Sequence, residues 1–274
     1  MNQPVLSSKN LSFGYEKQRI LNDVTLSIPQ NKISVILGAN GCGKSTLLKT
    51  FSRLLSPKNG TVLLDEKELS AFPSKEVAKI LGLLPQSSSA PEGIKVTDLI
   101  ARGRYPYRKP FSNLTSADFA AMEEAMELMG ITELSERCVD ELSGGQRQRV
   151  WIAFVLAQQT DILLLDEPTT YLDIAYQVEI LDLLVDLNRK KQTTIVMVLH
   201  DINLSARYAD HIFAMKNGTL LSSGPPSKII TPELMQNIYG LNCMVIKDPI
   251  SDTPLIIPHS RHSMMLGQKV AKKH

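Results

Sequence analysis

The chain has 274 residues, 43% of them hydrophobic and 21% charged, which excludes a disordered or fibrous protein and allows one large folded domain. Its 30 Lys and Arg residues against 28 Asp and Glu leave a net charge of +2, too small for a protein that coats nucleic acid, so we expect no nucleic-acid partner. Three cysteines without CxxC spacing argue against a disulfide framework or a zinc site. No apolar run approaches the roughly 20 residues of a membrane span, and no secretory signal pattern begins the chain, so a cytosolic location is expected.

The predicted elements alternate between apolar β-branched runs and segments with helical periodicity. This order is typical of an α/β protein with a mostly parallel sheet. In chain order, the sequence predicts strands over 11–15, 24–28 and 33–37, a helix over 44–55, a helix over 117–129, a strand over 162–165, a helix over 174–189 and a strand over 194–199. The run 33–37 is apolar at every position except Ser34, as expected of a strand buried on both faces.

The domain organisation follows from where the pattern changes. Helical patterns dominate about 97–158, which indicates a helical subdomain inserted into the α/β core. We interpret 1–258 as one domain that contains this insertion. The remaining segment, 259–274, is polar and basic, and we assign it no chemistry.

A phosphate-binding loop is indicated directly after the apolar strand 33–37. The run from Gly38 to Ser45 fits GxxxxGK[ST], and an amphipathic helix follows it, which is the context that this motif requires. Its glycines allow consecutive backbone N–H groups to face a phosphate, while Lys44 reaches the β- and γ-phosphates and Ser45 holds Mg²⁺. The predicted nucleotide-binding residues of this loop are Gly38, Asn40, Gly41, Cys42, Gly43, Lys44, Ser45 and Thr46.

Polar side chains follow three further apolar runs, at positions where the strands of an α/β sheet present their ligand sites. Asp166 and Glu167 end the run 162–165; Asp166 is placed to bind Mg²⁺, and Glu167 to act as the general base that polarises the attacking water. Gln86 follows the run 81–85, and His200 follows the run 196–199. By position alone, each of these last two is more often an ordinary surface or structural residue.

A second phosphate-binding pattern lies at Leu142-Ser143-Gly144-Gly145-Gln146, which opens an apolar helix. Together with the phosphate loop and the Asp166-Glu167 pair, in this order, the pattern resembles the ATP-binding cassette (ABC) ATPases. In that family two cassettes pack head to tail, and each ATP lies between the phosphate loop of one chain and the Ser143-Gly144-Gly145-Gln146 equivalent of the other. The resemblance therefore implies ATP hydrolysis with Mg²⁺, a P-loop NTPase (RecA-like) core with an N-terminal antiparallel β subdomain, and a homodimer.

The resemblance also implies roles for residues that the bare patterns do not assign. Tyr15 matches the aromatic residue that stacks on adenine, Gln86 the glutamine that links Mg²⁺ to the transport subunit, and His200 the histidine that contacts the γ-phosphate. The resemblance also implies that Lys44 is a catalytic residue. Asp173 matches the aspartate at the dimer seam.

Three further segments narrow the resemblance to importers of ferric siderophores, haem and cobalamin: 97–107, 171–177 and 248–258. Such a chain works beneath separate membrane permease subunits, and indirectly with an external substrate-binding protein, at the cytoplasmic face of the plasma (inner) membrane. The surface around Arg102, Arg104 and Tyr105 is then expected to receive the permease, since exposed Arg and Tyr suit interface anchoring.

Two alternatives remain open from the sequence. One is a cytosolic ABC ATPase that acts on nucleic acid or ribosomes, against which the near-neutral charge argues. The other is a nucleotide-gated binding module without hydrolysis, against which the intact Glu167 and His200 pair argues.

Overall fold

The computed structural model describes residues 5–15, 18–109, 112–170 and 172–260, which contain twelve β-strands and nine α-helices. The strands are β1 (Leu6–Tyr15), β2 (Gln18–Ser27), β3 (Ile33–Gly38), β4 (Asn59–Leu64), β5 (Lys67–Glu68), β6 (Leu81–Leu84), β7 (Ile162–Asp166), β8 (Thr194–Val198), β9 (His211–Lys216), β10 (Thr219–Gly224), β11 (Cys243–Lys247) and β12 (Pro254–Pro258). The helices are α1 (Lys44–Phe51), α2 (Ser74–Ile80), α3 (Val96–Arg102), α4 (Ser116–Leu128), α5 (Gly144–Leu156), α6 (Ile174–Lys191), α7 (Ile202–Tyr208), α8 (Pro226–Ile229) and α9 (Pro232–Tyr239).

A six-stranded sheet in the order β10-β9-β3-β8-β7-β6 forms the centre of the molecule. Its strands pair in parallel except at β10, which returns from β9 as an antiparallel edge strand. Every residue of β3, β7 and β8 is buried, because both faces of the sheet are covered. The predicted α/β class with a mostly parallel sheet is confirmed.

Two hydrophobic cores lie on opposite faces of this sheet. Because side chains alternate between the two faces along a strand, each strand contributes residues to both cores. Val35 and Leu37 of β3 pack in the core that also contains residues of α3, α4, α5 and α6. Ile36, between them, packs in the second core with Phe51 of α1 and residues of β1, β2 and β4. Apart from Ser34 and Gly38, the residues of β3 are therefore all apolar, since neither face of the strand meets water.

The strands β1, β2, β4 and β5 form a separate sheet in the order β2-β1-β4-β5, with antiparallel pairing throughout. This sheet is the N-terminal antiparallel β subdomain that the family resemblance implied. Its inner face contributes Leu11 and Val24, both fully buried, to the second core. The sheet thereby covers α1 and the strand that leads to the phosphate loop.

The helices α3, α4 and α5 form the predicted helical insertion and share the first core with the central sheet. The hydroxyl of Thr115 caps α4, and the carboxylate of Asp118 accepts from the Thr115 N–H in return, which completes a capping box. Gly130 follows α4 with a φ of 61°, a left-handed conformation that favours glycine after the end of a helix. The helix expected over 117–129 is thus confirmed within one residue at each end.

Helix α1 is shorter than predicted, because it ends at Phe51 and not near residue 55. Arg53 adopts a left-handed conformation with a φ of 61° and donates to the carbonyl oxygens of Leu69 at 3.3 Å and Phe72 at 2.6 Å. These contacts to a distant segment turn the chain before the helix is complete.

The expected role of Arg104 at a partner surface is wrong, because this residue is buried, with only 3% of its surface exposed. Its Nε lies 2.9 Å from Asp118 Oδ1, its Nη1 donates to Ala157 O at 2.5 Å, and its guanidinium stacks 4.0 Å from the Tyr107 ring centroid. Arg104 therefore ties the segment after α3 to α4 and α5. The physical reason is that an arginine can satisfy its charge within a core when a buried carboxylate and carbonyls surround it.

The strands β11 and β12 form a C-terminal hairpin that is attached to α7. The side chain of Asn203 on α7 accepts from the Ile256 N–H at 2.8 Å and donates to the Ile256 carbonyl at 3.3 Å. Arg207, one turn further, donates to Asp248 at 2.6 Å. Most of the predicted polar tail, 261–274, lies outside the described residues.

Candidate nucleotide site

The register of the parallel sheet brings the ends of four strands to one edge. Leu84 pairs with Leu165, and Asp166 pairs with Val198, so the loops after β6, β7 and β8 start level with one another beside the loop after β3. A cleft of about 530 Å³ opens at this edge. Its lining residues are Gln18, Ile20, Asn40, Gly41, Gly43, Lys44, Ser45, Thr46, Gln86, Glu167, Thr170 and His200.

The phosphate loop and the start of α1 form one wall of the cleft. Gly43 precedes α1 with a φ of 103°, a conformation that L-residues rarely adopt, and no side chain caps the first turn of the helix. The N–H groups of that turn are therefore left for a ligand, and the positive end of the helix dipole favours an anion. The ammonium of Lys44 donates to the carbonyl oxygens of Gly38 at 2.8 Å and Ala39 at 3.2 Å.

Gly38 and Cys42 support this loop from behind, because neither is among the lining residues of the cleft. A Cβ on Gly38 would lie 2.5 Å from the Cys42 sulfur and 2.6 Å from the Met215 carbonyl oxygen, so only glycine fits there. The Cys42 thiol is buried, and burial raises its pKa despite the nearby charge of Lys44. Cys42 can thus meet a phosphate only through its backbone.

Ser45 and Asp166 meet at the base of the cleft, where the hydroxyl of Ser45 donates to Asp166 Oδ1 at 2.9 Å. Asp166 is the last residue of β7 and is almost fully buried. Burial raises its pKa, and the charge of Glu167 adds to this effect, while the hydrogen bond from Ser45 acts in the opposite direction. A buried carboxylate beside a hydroxyl at a phosphate loop is a donor set that suits Mg²⁺, which prefers oxygen ligands and phosphate partners.

Glu167 occupies the centre of a hydrogen-bonding network that closes the far wall of the cleft. Its Oε2 accepts from Gln86 Nε2 at 2.7 Å and from the Thr170 hydroxyl at 3.0 Å, and its Oε1 lies 2.8 Å from His200 Nε2. Burial alone would raise the pKa of Glu167, but these hydrogen bonds outweigh it and hold the pKa below its ordinary value. The carboxylate is therefore ionised at neutral pH.

The backbone also holds Glu167 in place. Its φ of 56° is left-handed, which is costly for a residue with a side chain, by about 1–3 kcal/mol. The Thr170 N–H donates to the Glu167 carbonyl at 3.3 Å and closes the turn. This conformation turns the chain sharply at the end of β7, directly after the strand presents Asp166.

The remaining predicted site residues are not among those that line the cleft of their own chain. Tyr15 is 58% exposed at the end of β1 and packs edge-on against Phe13, with ring centroids 5.2 Å apart. Asp173 is exposed and caps α6 through the Tyr176 N–H at 3.2 Å. Among the cleft-lining residues, none comes from the second phosphate-binding pattern, Ser143, Gly144, Gly145 and Gln146.

That second pattern opens α5 with a complete capping box. The Ser143 hydroxyl accepts from the Gln146 N–H at 3.3 Å, and the Gln146 side chain accepts from the Ser143 N–H at 3.1 Å. A Cβ on Gly144 would meet nothing within 4 Å. The start of α5 therefore presents an open backbone at the surface and not to the cleft of the same chain.

Sequence reasoning missed three lining residues, Gln18, Ile20 and Thr170. Gln18 and Ile20 lie on β2, which reaches the phosphate loop only because the antiparallel sheet folds over α1. Thr170 had a usable signal, since it follows Glu167 by three residues, the spacing at which a turn brings a hydroxyl back to a carboxylate. Gln86, Glu167 and His200, in contrast, are brought together as their positions after the three apolar runs suggested.

In the described part of the chain, no group of three or more His, Cys, Asp or Glu side chains is arranged to hold a metal ion by itself. Across the same ranges, no helix is long and apolar enough to cross a membrane.

The family model described as ABC transporter matches residues 21–170, more than half of the chain. The chain therefore belongs to the ABC transporter family and is one of its ATPases. It is 48% identical to the probable siderophore transport system ATP-binding protein YusV of Bacillus subtilis (strain 168), over the full length of both chains. It is 49% identical to the ferric enterobactin transport ATP-binding protein FepC of Escherichia coli (strain K12), which covers 93% of this chain and 94% of that protein.

Solved structures agree with this assignment. A putative metal-chelate type ABC transporter in an inward-facing conformation superposes with a TM-score of 0.82 at 28% identity, and the match covers 95% of this chain and 99% of the other. A dimeric bacterial ABC transporter cassette superposes with a TM-score of 0.70 at 27% identity, covering 80% of this chain and 98% of the other.

Proposed function

We propose that this chain hydrolyses ATP as a head-to-tail homodimer and thereby drives import of a ferric siderophore through a separate membrane permease. The observation that carries the proposal is the Glu167 carboxylate, ionised and held by three donors, in the same cleft as Lys44 and the open first turn of α1. A phosphate-binding wall facing a positioned base is the arrangement that phosphoryl transfer to water requires.

Each side chain has a role in this reaction. Lys44 leaves the loop carbonyls to hold the β- and γ-phosphates, and the N–H groups of residues 41–46 bind the phosphate oxygens. Glu167 accepts a proton from the attacking water, and His200 contacts the γ-phosphate. Tyr15, exposed at the end of β1, stacks on the adenine. Ser45, Asp166 and Gln86 would hold Mg²⁺, which offsets the negative charge of the phosphates.

The pattern Ser143-Gly144-Gly145-Gln146 completes the site of a partner. Its open backbone, absent from the cleft of its own chain, supports a second copy as the ligand-sharing partner. Asp173, exposed at the start of α6, lies at the seam between the two chains in this arrangement. The γ-phosphate then bridges two chains, so its loss on hydrolysis removes contacts that favour the closed dimer.

A second surface supports docking of a permease. A groove of about 380 Å³ runs between the end of α1, α2 and β6, lined by Ser52, Arg53, Leu54, Ser74, Val77, Ala78, Leu81 and Leu83. Tyr105, 75% exposed, lies on the segment after α3, and Arg102, the last residue of α3, is exposed as well. An exposed aromatic residue beside a concave groove suits an inserted helix. This docking would place the chain at the cytoplasmic face of the membrane, with an external binding protein on the opposite side.

The siderophore cargo is supported by relatives that are named for siderophore and ferric enterobactin transport. The cargo would meet the permease and the binding protein, so no residue of this chain is assigned to it. Deletion of the gene is expected to abolish uptake of radiolabelled ferric siderophore, and the wild-type chain, but not Glu167→Gln, is expected to restore it. Normal uptake in the deletion strain would contradict the proposal that a ferric siderophore is the cargo.

The first test of the proposed ATPase activity measures Mg-ATP turnover of the purified chain and of Glu167→Gln, with dimerisation followed by light scattering. We expect the wild type to turn over, and the variant to bind ATP, lose hydrolysis and accumulate as a dimer. Turnover of the variant near the wild-type rate would contradict the role of Glu167 as base. Slow wild-type turnover that the permease does not stimulate would favour a nucleotide-gated binding module instead.

A further inference from the structure

The second phosphate-binding pattern and the catalytic loop of the same chain are physically connected. Gly145, Gln148 and Arg149 lie on one face of α5, since residues three and four positions apart share a helix face. That face is directed at Pro168, which follows Glu167 directly, and at Tyr176 and Glu179 on α6.

The first contact is a hydrogen bond from Gln148 Nε2 to the Pro168 carbonyl oxygen, 2.7 Å long. Pro168 is buried, and a buried carbonyl needs a donor. Because Pro168 adjoins Glu167, this bond fixes α5 to the peptide that carries the catalytic carboxylate.

The second feature is the ring of Tyr176, which faces Gly145. A Cβ on Gly145 would lie 3.6 Å from the ring atoms, so the ring and this glycine are separated by about the width of one methyl group. The Arg149 guanidinium lies 5.9 Å from the centre of the same ring and forms an ion pair with Glu179, three residues after Tyr176 on α6. Tyr176 and Glu179, both on α6, thus face two successive turns of α5.

We propose that Gln148 and Tyr176 are positioning residues that couple the two ATP sites of the dimer. This inference rests on the proposed head-to-tail arrangement, in which Glu167 serves the ATP of its own chain and Ser143 serves the ATP of the partner. A rigid connection between the two motifs within one chain makes the position of the partner-facing motif depend on the catalytic loop. The state of one site is thereby transmitted to the other through α5.

The test uses the full chain in the Glu167→Gln background, which holds the ATP-bound dimer. We expect Gln148→Met and Tyr176→Ala to raise the protein concentration needed for half-maximal ATP-dependent dimerisation about tenfold, the effect of one lost hydrogen bond or contact. Affinity of the monomer for ATP, measured by titration calorimetry below that concentration, is expected to stay unchanged. Tyr176→Phe, which keeps the ring, and Gln236→Met, an exposed site on α9, serve as matched controls and are expected to behave as the parent.

Thermal unfolding of each variant separates a positioning role from damage to the fold. Glu179→Gln is a further variant, which weakens the contact between α5 and α6 by removing the ion pair with Arg149. Glu179 is exposed, so its replacement leaves the core intact. We expect a smaller rise, of about threefold, in the protein concentration needed for half-maximal dimerisation. Unchanged dimerisation of Gln148→Met and Tyr176→Ala would overturn the inference and leave the proposed function standing. A parallel loss of monomer ATP binding would also overturn it. Failure of the parent to dimerise would overturn the proposed function and this inference together.

Discussion

At the scale of single residues, the cleft is organised around the Glu167 carboxylate. Three donors from three different segments converge on it, and each is a neutral or cationic group that stabilises the ionised form. Gln86 and His200 follow strand ends, whereas Thr170 lies on the same turn as Glu167. The position of the Glu167 carboxylate is therefore set both locally and by the sheet.

Replacing Thr170 with Val is expected to lower kcat about fivefold to tenfold with little change in the KM for ATP. Val keeps the shape of Thr but removes the hydroxyl that donates to Glu167 Oε2, and one such hydrogen bond contributes about 1–1.5 kcal/mol. Steady-state turnover against ATP concentration measures both constants. Thr170→Ser keeps the hydroxyl and should retain most of the activity. A wild-type kcat in Thr170→Val would contradict the contribution of the Thr170 hydroxyl to positioning Glu167.

Alkylation of the thiols is expected to follow their burial. Cys42 is 6% exposed and burial raises its pKa, so less thiolate is present at neutral pH, and its reaction with a maleimide should be slow and accelerate as pH rises. Cys138, which is only partly buried, should label first. Peptide mass spectrometry over time distinguishes the sites. Rapid labelling of Cys42 at pH 7 would show that the phosphate loop opens readily.

At the scale of elements, a buried ion pair between Arg104 and Asp118 joins parts of the helical insertion to one another. Burial by itself would raise the pKa of Asp118, but hydrogen bonds from Thr115 and Arg104 lower it to about 2. The pair connects the segment after α3 to the first turn of α4, and Arg104 continues to the end of α5 through Ala157. Three parts of the insertion thus depend on one guanidinium.

Arg104→Ala is expected to reduce the free energy of unfolding by about 3–5 kcal/mol, since it leaves a buried carboxylate without its partner. Arg102→Ala, two residues away and exposed, is the matched control and should change stability by less than about 0.5 kcal/mol. Urea unfolding of both variants measures the difference. Equal stability of the two would contradict the structural role of Arg104.

The same pair predicts a dependence on pH. The folded pKa of Asp118 is lowered to about 2, below an unfolded value of about 3.9, so its contribution to stability is complete above about pH 4 and is lost as pH falls toward 2. The stability gap between the wild type and Arg104→Ala should therefore narrow as pH falls from about 4 to about 2. A gap that stays constant over this range would assign the loss to packing of the guanidinium and not to its charge.

At the scale of the whole molecule, the phosphate loop and the Ser143 pattern of one chain serve different ATP molecules in the proposed dimer. Mixed dimers test this arrangement directly. With Glu167→Gln on one chain and Ser143→Arg on the other, both defects fall in one site and the second site stays intact, so about half of the wild-type turnover is expected. With both substitutions on the same chain, each site carries one defect and turnover should be lost. Equal turnover of the two mixed dimers would contradict a head-to-tail dimer.

Much of the site could be predicted from the sequence because its chemistry lies in short segments. The phosphate loop needs its glycines, Lys44 and Ser45 in immediate succession, and Asp166 and Glu167 are neighbours at the end of one apolar strand. Gln86 and His200 follow apolar runs in the same way. Parallel strands align their carboxyl ends, so the position after the run sufficed to place these side chains at one edge.

Other features were decided only by the tertiary structure, because contacts between distant segments determine them. The burial of Arg104 depends on Asp118 and Ala157, and the early end of α1 depends on carbonyl groups at Leu69 and Phe72. The side chain of Cys42 is directed away from the cleft, because Gly38 has no Cβ and so leaves space for the Cys42 sulfur. Local spacing in the sequence therefore determined which groups carry the chemistry, while long-range packing decided which face each group presents and which segments are held together.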